Sequence, residues 1–312
     1  MRLGQYDFIC RFTSRACLPK YKGAAFRGAF GRALRQSVCV LKARTCGNCP
    51  LCSQCLYAMV FETQNPLSPS EKFRSGAYLH PYVIEPPEIH KTEFFIGDDF
   101  TFRVLLFGDS VKDMPYFIHA FDQMGQNGIG RRSDSVLGTF ALERVLWKED
   151  VIYSQDDNLL RQPPEEELFL NVSQEIFSGK MKLKLRFQTP LRIKHENKIV
   201  SDIPFDLLIR VALRRMSMLL SNFDAGEPAL DYSGLVRDAH DVSTLSSNLH
   251  WLDGKRYSFR QRQDMQMGGI IGDVVYEGKL FPFLPLLSFC SVVHIGKQTT
   301  FGLGRFDMEI LM

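Results

Sequence analysis

The chain has 312 residues and a mass of 35.7 kDa, long for one domain and suited to two of ordinary size. With 45% hydrophobic and 23% charged residues it reads as globular, which excludes disorder for most of its length, and a net charge of +3 is too small to establish a polyanionic partner by itself. The opening "MRLGQYDFICRF" lacks the apolar core of a signal peptide, and the longest apolar stretch, Leu280 to Val293, is broken by Pro282 and Pro285 and falls short of the ~20 residues of a membrane span, so a cytoplasmic protein without membrane contact is expected.

In chain order, "DFICRFTSRACLP" alternates like a half-buried strand with Phe8, Cys10 and Phe12 on one face. A helix over about 24–38 follows and buries Phe26, Phe30, Ala33 and Leu34. The run "GIGRRSDSVLGTFALERVLW" goes from glycines and basic residues into a strand. An acidic stretch with Pro163 and Pro164 then reads as a linker. The pattern repeats. "MKLKLRFQTPLRI" is a strand with Met181, Leu183, Leu185 and Phe187 on one face and Lys182, Lys184 and Arg186 on the other. A helix opened by Pro204 buries Phe205, Leu208, Ile209, Ala212, Met216, Leu219, Leu220 and Phe223. The end, "GKQTTFGLGRFDMEIL", is again a Gly-rich loop and a strand. The repeat predicts an α+β chain of two tandem ferredoxin-like (RRM-like) domains, 1–160 and 161–312, with a Cys-rich metal-binding insertion in the first.

That insertion holds Cys39, Cys46, Cys49, Cys52 and Cys55, four of them in ten residues at two-residue gaps. Such spacing in a reducing compartment reads as metal ligation by four of the five rather than as a disulfide framework. Structural zinc is the first expectation and an iron–sulfur cluster the alternative; nothing nearby suggests an open catalytic coordination position. The metal would fold a loop too poor in apolar residues to order itself.

On the first helix Arg27, Arg32 and Arg35 fall within an arc of roughly 140°, opposite the buried face. Arg131 and Arg132 follow the first Gly-rich loop, Arg214 and Arg215 lie on the second helix, and Arg256, Arg260 and Arg262 alternate with Tyr257 and Phe259. Basic residues interleaved with aromatics suit single-stranded RNA, whereas each cluster alone is also an ordinary solvated face. In "HIGKQTTFGLGRF", Gly296, Gly302 and Gly304 either provide positive φ for a tight turn or bare amides for a phosphate beside Lys297 and Arg305.

The segment from Arg256 to Phe306, with its "MGGIIGDVVYEG" and "HIGKQTTFGLGR" runs, closely resembles the precursor-CRISPR-RNA-processing endoribonucleases of the RAMP superfamily. "IRVALRRMSML", "FRGAFGRALR" and the cysteine stretch leading to "CLYAMVFE" share the likeness more weakly. The resemblance implies tandem ferredoxin-like domains, binding of CRISPR repeat RNA, and metal-independent cleavage leaving a 2′,3′-cyclic phosphate. It also implies that processed crRNA can stay bound within an interference complex containing other subunits. Many members of that family carry the catalytic histidine on or near the first helix, whereas here no histidine precedes His80. Either His294, beside Lys297 as charge stabiliser, or a Tyr/Lys pair is then expected to do the work, while Gly296, Thr299, Thr300, Gly302, Gly304 and Arg305 contact the RNA backbone together with Arg27, Arg32, Arg35, Arg131, Arg132, Arg256 and Arg260. His80 and His90, in a proline-rich stretch, read as loop residues. A non-catalytic crRNA-binding RAMP subunit is the alternative, and a redox or regulatory protein built on the cysteines is a third reading.

Overall fold

The two periodicities resolve into two copies of one strand and helix order. A computed structural model describes residues 1–42, 45–62, 79–87, 90–133, 136–164, 166–170, 179–195, 198–258 and 263–311. They divide into two units, Arg2–Glu166 and Glu167–Met312, with Met1 joining the second.

In the first unit, strand β1 (Leu3–Phe12) buries Tyr6, Phe8, Cys10 and Phe12 because alternate side chains share a face. Helix α1 (Gly23–Val38) buries Phe26, Ala29, Phe30, Ala33 and Leu34 at helical spacing. Strands β2 (Tyr82–Glu85) and β3 (Asp99–Phe107), helix α2 (Met114–Asn127) and strands β4 (Phe140–Trp147) and β5 (Asp150–Ser154) follow. The sheet runs β2-β3-β1-β4-β5 with every neighbour antiparallel. Apart from the added β5, this is the ferredoxin-like βαββαβ order. Phenylalanine fills the core: Phe8 lies 4.8 Å from both Phe102 and Phe121, and Phe30 stacks on Phe121 at 4.3 Å. Each such pair adds about 0.5–1.5 kcal/mol beyond its buried area. The strand expected from Gly128 onward divides into Ile129–Ser133, Val136–Gly138 and β4, the first two forming a small sheet with Ala16–Cys17 and Glu93–Phe94.

The second unit repeats the order. Strand β6 (Met181–Leu191) leads to α3 (Phe205–Phe223), the short α4 (Tyr232–Ala239), strands β7 (Ser243–Leu252) and β8 (Gly269–Gly278), helix α5 (Leu284–Val293) and strand β9 (Phe306–Leu311). The sheet order is β7-β8-β6-β9, again antiparallel throughout. Pro204 caps α3 and the expected stripe is buried except for Phe223, which is half-covered. Asp231 starts α4 by accepting the Gly234 N–H at 2.8 Å. The apolar run at 280–293 becomes one short turn and α5, and among the described residues no helix is long and apolar enough to cross a membrane. Each unit holds one of the two tryptophans, Trp147 in β4 and Trp251 in β7.

Candidate nucleic-acid interface

The Gly-rich loop is built by the close packing of main chain on main chain. Helix α5 ends at Val293, and His294 turns the chain with φ of 59°. Its side chain is fully enclosed, with Nδ1 3.1 Å from the Leu303 carbonyl. Arg215, from the buried side of α3, donates from Nη2 to Val293 O at 2.8 Å and from Nε to His294 O at 3.0 Å. A cation there faces the negative end of the helix dipole, and burial brings its pKa down to about 10. The expectation that Arg215 joins a cationic surface is therefore corrected: it is an internal brace. His294 is likewise inside the fold, out of reach of a ribose hydroxyl in this conformation.

The glycines answer to the same packing. Gly296, Gly302 and Gly304 have φ of 83°, 80° and 77°. A Cβ at Gly304 would lie 1.8 Å from Ile295 O, and one at Gly296 would lie 2.7 Å from Arg192 O. The Gly302 N–H donates to Thr299 O at 2.8 Å and the Gly304 N–H to Pro190 O at 3.2 Å, while the Arg305 N–H donates to Thr189 Oγ1 at 2.9 Å. Thr299 and Thr300 are buried and Arg305 is half-buried. Of the two readings of this loop, the turn explains these glycines; the amides of Gly302 and Gly304 are spent within the fold.

What the loop does present is Lys297, which is exposed. Its N–H donates to Arg192 O at 2.9 Å, which joins the loop to the end of β6. Partial burial lowers its pKa, and the neighbouring Lys194, Arg214 and Arg192 lower it further. Four cations thus gather at one place in the second unit, with Lys194 and Arg214 exposed and the Arg192 guanidinium donating to Gly268 O. The sequence reading passed over Arg192 and Lys194; their signal was two cations at alternate positions in "LRIKH", directly after a strand. On the cationic face of β6, Lys184 and Arg186 share one carboxylate, Asp273, at 3.1 and 3.0 Å. Arg256 lies on the short strand Lys255–Ser258, and Arg260 and Arg262 lie outside the described residues.

In the first unit Arg32 is exposed, whereas Arg27 and Arg35 are half-buried over rings. Arg27 Cζ stands 5.0 Å from the Phe61 ring centre and Arg35 Cζ 5.7 Å from that of Tyr57, while the two rings stack at 5.3 Å. Arg131 is exposed on Ile129–Ser133, the strand that also carries Arg132. His80 packs on this cluster, with Nδ1 2.8 Å from Val60 O and Nε2 3.3 Å from Arg27 Nη2.

The cysteine stretch folds as successive single turns, Cys46–Asn48 and Cys52–Gln54, joined by Cys49 N–H to Cys46 O and Cys52 N–H to Cys49 O, both 3.1 Å. Burial raises the Cys46 pKa, and Glu62, Cys55 and Cys52 add to the rise while Arg35 opposes it. Cys52 is raised by burial and then by Cys49, Cys55 and Glu62. Cys46, Cys49, Cys52 and Cys55 thus lie within electrostatic range of one another. Among the described residues, however, no three Cys, His, Asp or Glu side chains converge into a coordination shell.

Known proteins share the architecture. Residues 185–306 match the family model for the CRISPR-associated endoribonuclease Cas6, and residues 1–165 match a model described as an N-terminal domain. An uncharacterized protein of Archaeoglobus fulgidus is 24% identical over 295 residues, which cover 94% of this chain and 93% of that one. Among solved structures, a partial Cas6-RT-Cas1–Cas2 complex contains a chain similar over 100% of this one and 46% of its own length, at 14% identity and TM-score 0.60. This chain thus spans just under half of that polypeptide. A Cas6 product complex aligns over 99% of this chain and 100% of its own, with 13% identity and TM-score 0.55. Thermus thermophilus Cas6 aligns over 99% and 98%, with 12% identity and TM-score 0.51. At these identities the structural likeness is one of fold.

Proposed function

We propose that this chain, whose residues 185–306 match the Cas6 model and whose fold is that of Cas6 structures, is a CRISPR-associated endoribonuclease of that type, and that it binds CRISPR repeat RNA and cuts the precursor without a metal. A ribose 2′-OH loses its proton to a base, the 2′ oxygen bonds to the adjacent phosphorus, and the bond from phosphorus to the 5′ oxygen breaks. The products are a 2′,3′-cyclic phosphate and a 5′-OH. Such chemistry needs a base, cations for the phosphorane charge and a proton for the leaving oxygen.

The observation that carries the reading is the gathering of Lys297, Lys194, Arg214 and Arg192 within the stretch that matches the Cas6 model. Like charges held together raise one another's cost; a phosphodiester backbone relieves that cost by pairing with them, and the cations in turn release counterions condensed on the RNA. Within the first unit Arg32 and Arg131 would make backbone contacts of their own, and four of Cys39, Cys46, Cys49, Cys52 and Cys55 would hold a structural zinc that takes no part in cleavage. The similarity to a chain of a Cas6-RT-Cas1–Cas2 complex supports a place in a larger CRISPR assembly.

The test is incubation of the protein in EDTA with its repeat RNA and with a copy carrying a single 2′-deoxy at the scissile nucleotide. Cleavage of the first alone is expected; cleavage of both, or a need for added metal, would refute the mechanism. The burial of His294 favours one other reading, a crRNA-binding subunit that does not cut, for which both RNAs would bind and stay whole.

A further inference from the structure

With His294 enclosed, the proposed reaction lacks its base, and the geometry of the first unit provides one. Resting on the cleavage reading, we propose that His80 and Arg27 form a proton-transfer pair, in which His80 Nε2 takes the ribose 2′-OH proton and Arg27 holds the phosphate. A carbonyl only accepts, so the 2.8 Å contact between His80 Nδ1 and Val60 O puts the proton on Nδ1. In the neutral ring, Nε2 then carries the lone pair. It points at Arg27 Nη2, 3.3 Å away, and a guanidinium only donates. Both residues are half-buried, so the pair is ordered by its surroundings and still reaches solvent.

The support around the pair is continuous along the chain. Val60 orients the imidazole through its carbonyl, and the next residue, Phe61, lies beneath the Arg27 guanidinium at 5.0 Å. Tyr57 stacks on Phe61. On the inner side the buried Tyr82 hydroxyl lies beside Arg27 without a hydrogen bond of good geometry; its pKa is pushed up to about 12 by burial, against the opposing pull of Arg27, so it stays protonated. The His80–Arg27 contact is long for a hydrogen bond. A phosphodiester that draws Arg27 onto its nonbridging oxygens by a charge-assisted, bidentate contact takes the guanidinium off Nε2 and frees the lone pair where the 2′-OH arrives. The proton passes to Nε2 as the 2′ oxygen bonds to phosphorus. The departing 5′ oxygen takes a proton from water, and the hydroxide so formed recovers the one on the imidazolium, closing the balance.

The test compares single-turnover cleavage of repeat RNA, and affinity for its 2′-deoxy copy, for wild type, His80→Asn, His80→Ala and Arg27→Ala. Asparagine retains a donor toward Val60 O but has no basic nitrogen. We expect His80→Asn to lose about 100-fold or more in rate, the range of general-base catalysis, with affinity and melting temperature near wild type. Added imidazole should restore part of the His80→Ala rate, a rescue that a purely structural histidine would not show. Arg27→Ala should lose both rate and affinity. If wild type cuts and His80→Asn cuts within threefold of it, the pair is refuted while the cleavage reading stands. If wild type leaves the RNA whole, both fall.

Discussion

At the scale of single residues, three cations show how differently one charge can be used. Arg214 and Arg215 are neighbours in sequence, yet one is exposed and the other holds two carbonyls at the end of α5. The difference was legible: position 215 is three residues after Ala212 and four before Leu219, on the apolar stripe of α3. The burial of His294 was not legible, because a histidine among glycines and threonines has no periodicity to mark it as internal. Nor was the His80–Arg27 contact, which joins positions 53 residues apart across the cysteine stretch. Lys297 provides a test at this scale. Burial and then Lys194, Arg214 and Arg192 lower its pKa in the free protein, and a bound phosphate would raise it again. The complex therefore binds more protons than the free protein over that interval. RNA affinity should be flat at lower pH and fall as pH rises through the lowered pKa of free Lys297. Lys297→Arg should remove that dependence, and Lys297→Ala should reduce the slope of log affinity against log salt by about one.

Among the elements, the strands and helices whose apolar positions repeat cleanly were readable, as β1, α1, β6 and α3 show. Helix α4 was missed because its eight residues bury little beyond Gly234 and Ala239. The cysteine spacing of the stretch from Cys46 to Glu62 points to ligands, yet the stretch ends in the Tyr57, Val60 and Phe61 contacts that hold Arg35, His80 and Arg27. Two-residue gaps between cysteines do not encode which helix the next turn will pack against. If the ladder binds zinc, metal analysis of protein purified without chelator should find about one zinc per chain. Serine at Cys49 and Cys52 together should abolish it, and zinc removal should slow RNA cleavage by loosening the turn that carries Val60 and Phe61. Full metal loss with no change in cleavage rate would separate the ladder from the pair it adjoins.

For the whole molecule, the duplicated order β2-β3-β1-β4 and β7-β8-β6-β9 was readable from the repetition of strand, helix and Gly-rich loop, since each copy must cover one face of its sheet. The added β5 and the small four-stranded sheet of the first unit were not, because strands of two to five residues leave too little alternation to find. The placement of one tryptophan in each unit gives the protein two intrinsic fluorophores with separate addresses. Trp147 is half-covered and lies beside the Lys148 ammonium at 4.6 Å, whereas Trp251 is 41% exposed with its indole N–H on Asp253. Changing either to Phe leaves an optical reporter for the other unit alone. Phe30→Ala, which removes a ring at the centre of the first core at a cost of about 3–5 kcal/mol, should shift the emission transition of the Trp147 reporter and leave that of the Trp251 reporter in place. An equal shift in both would mean that the two halves of this repeated fold melt as one.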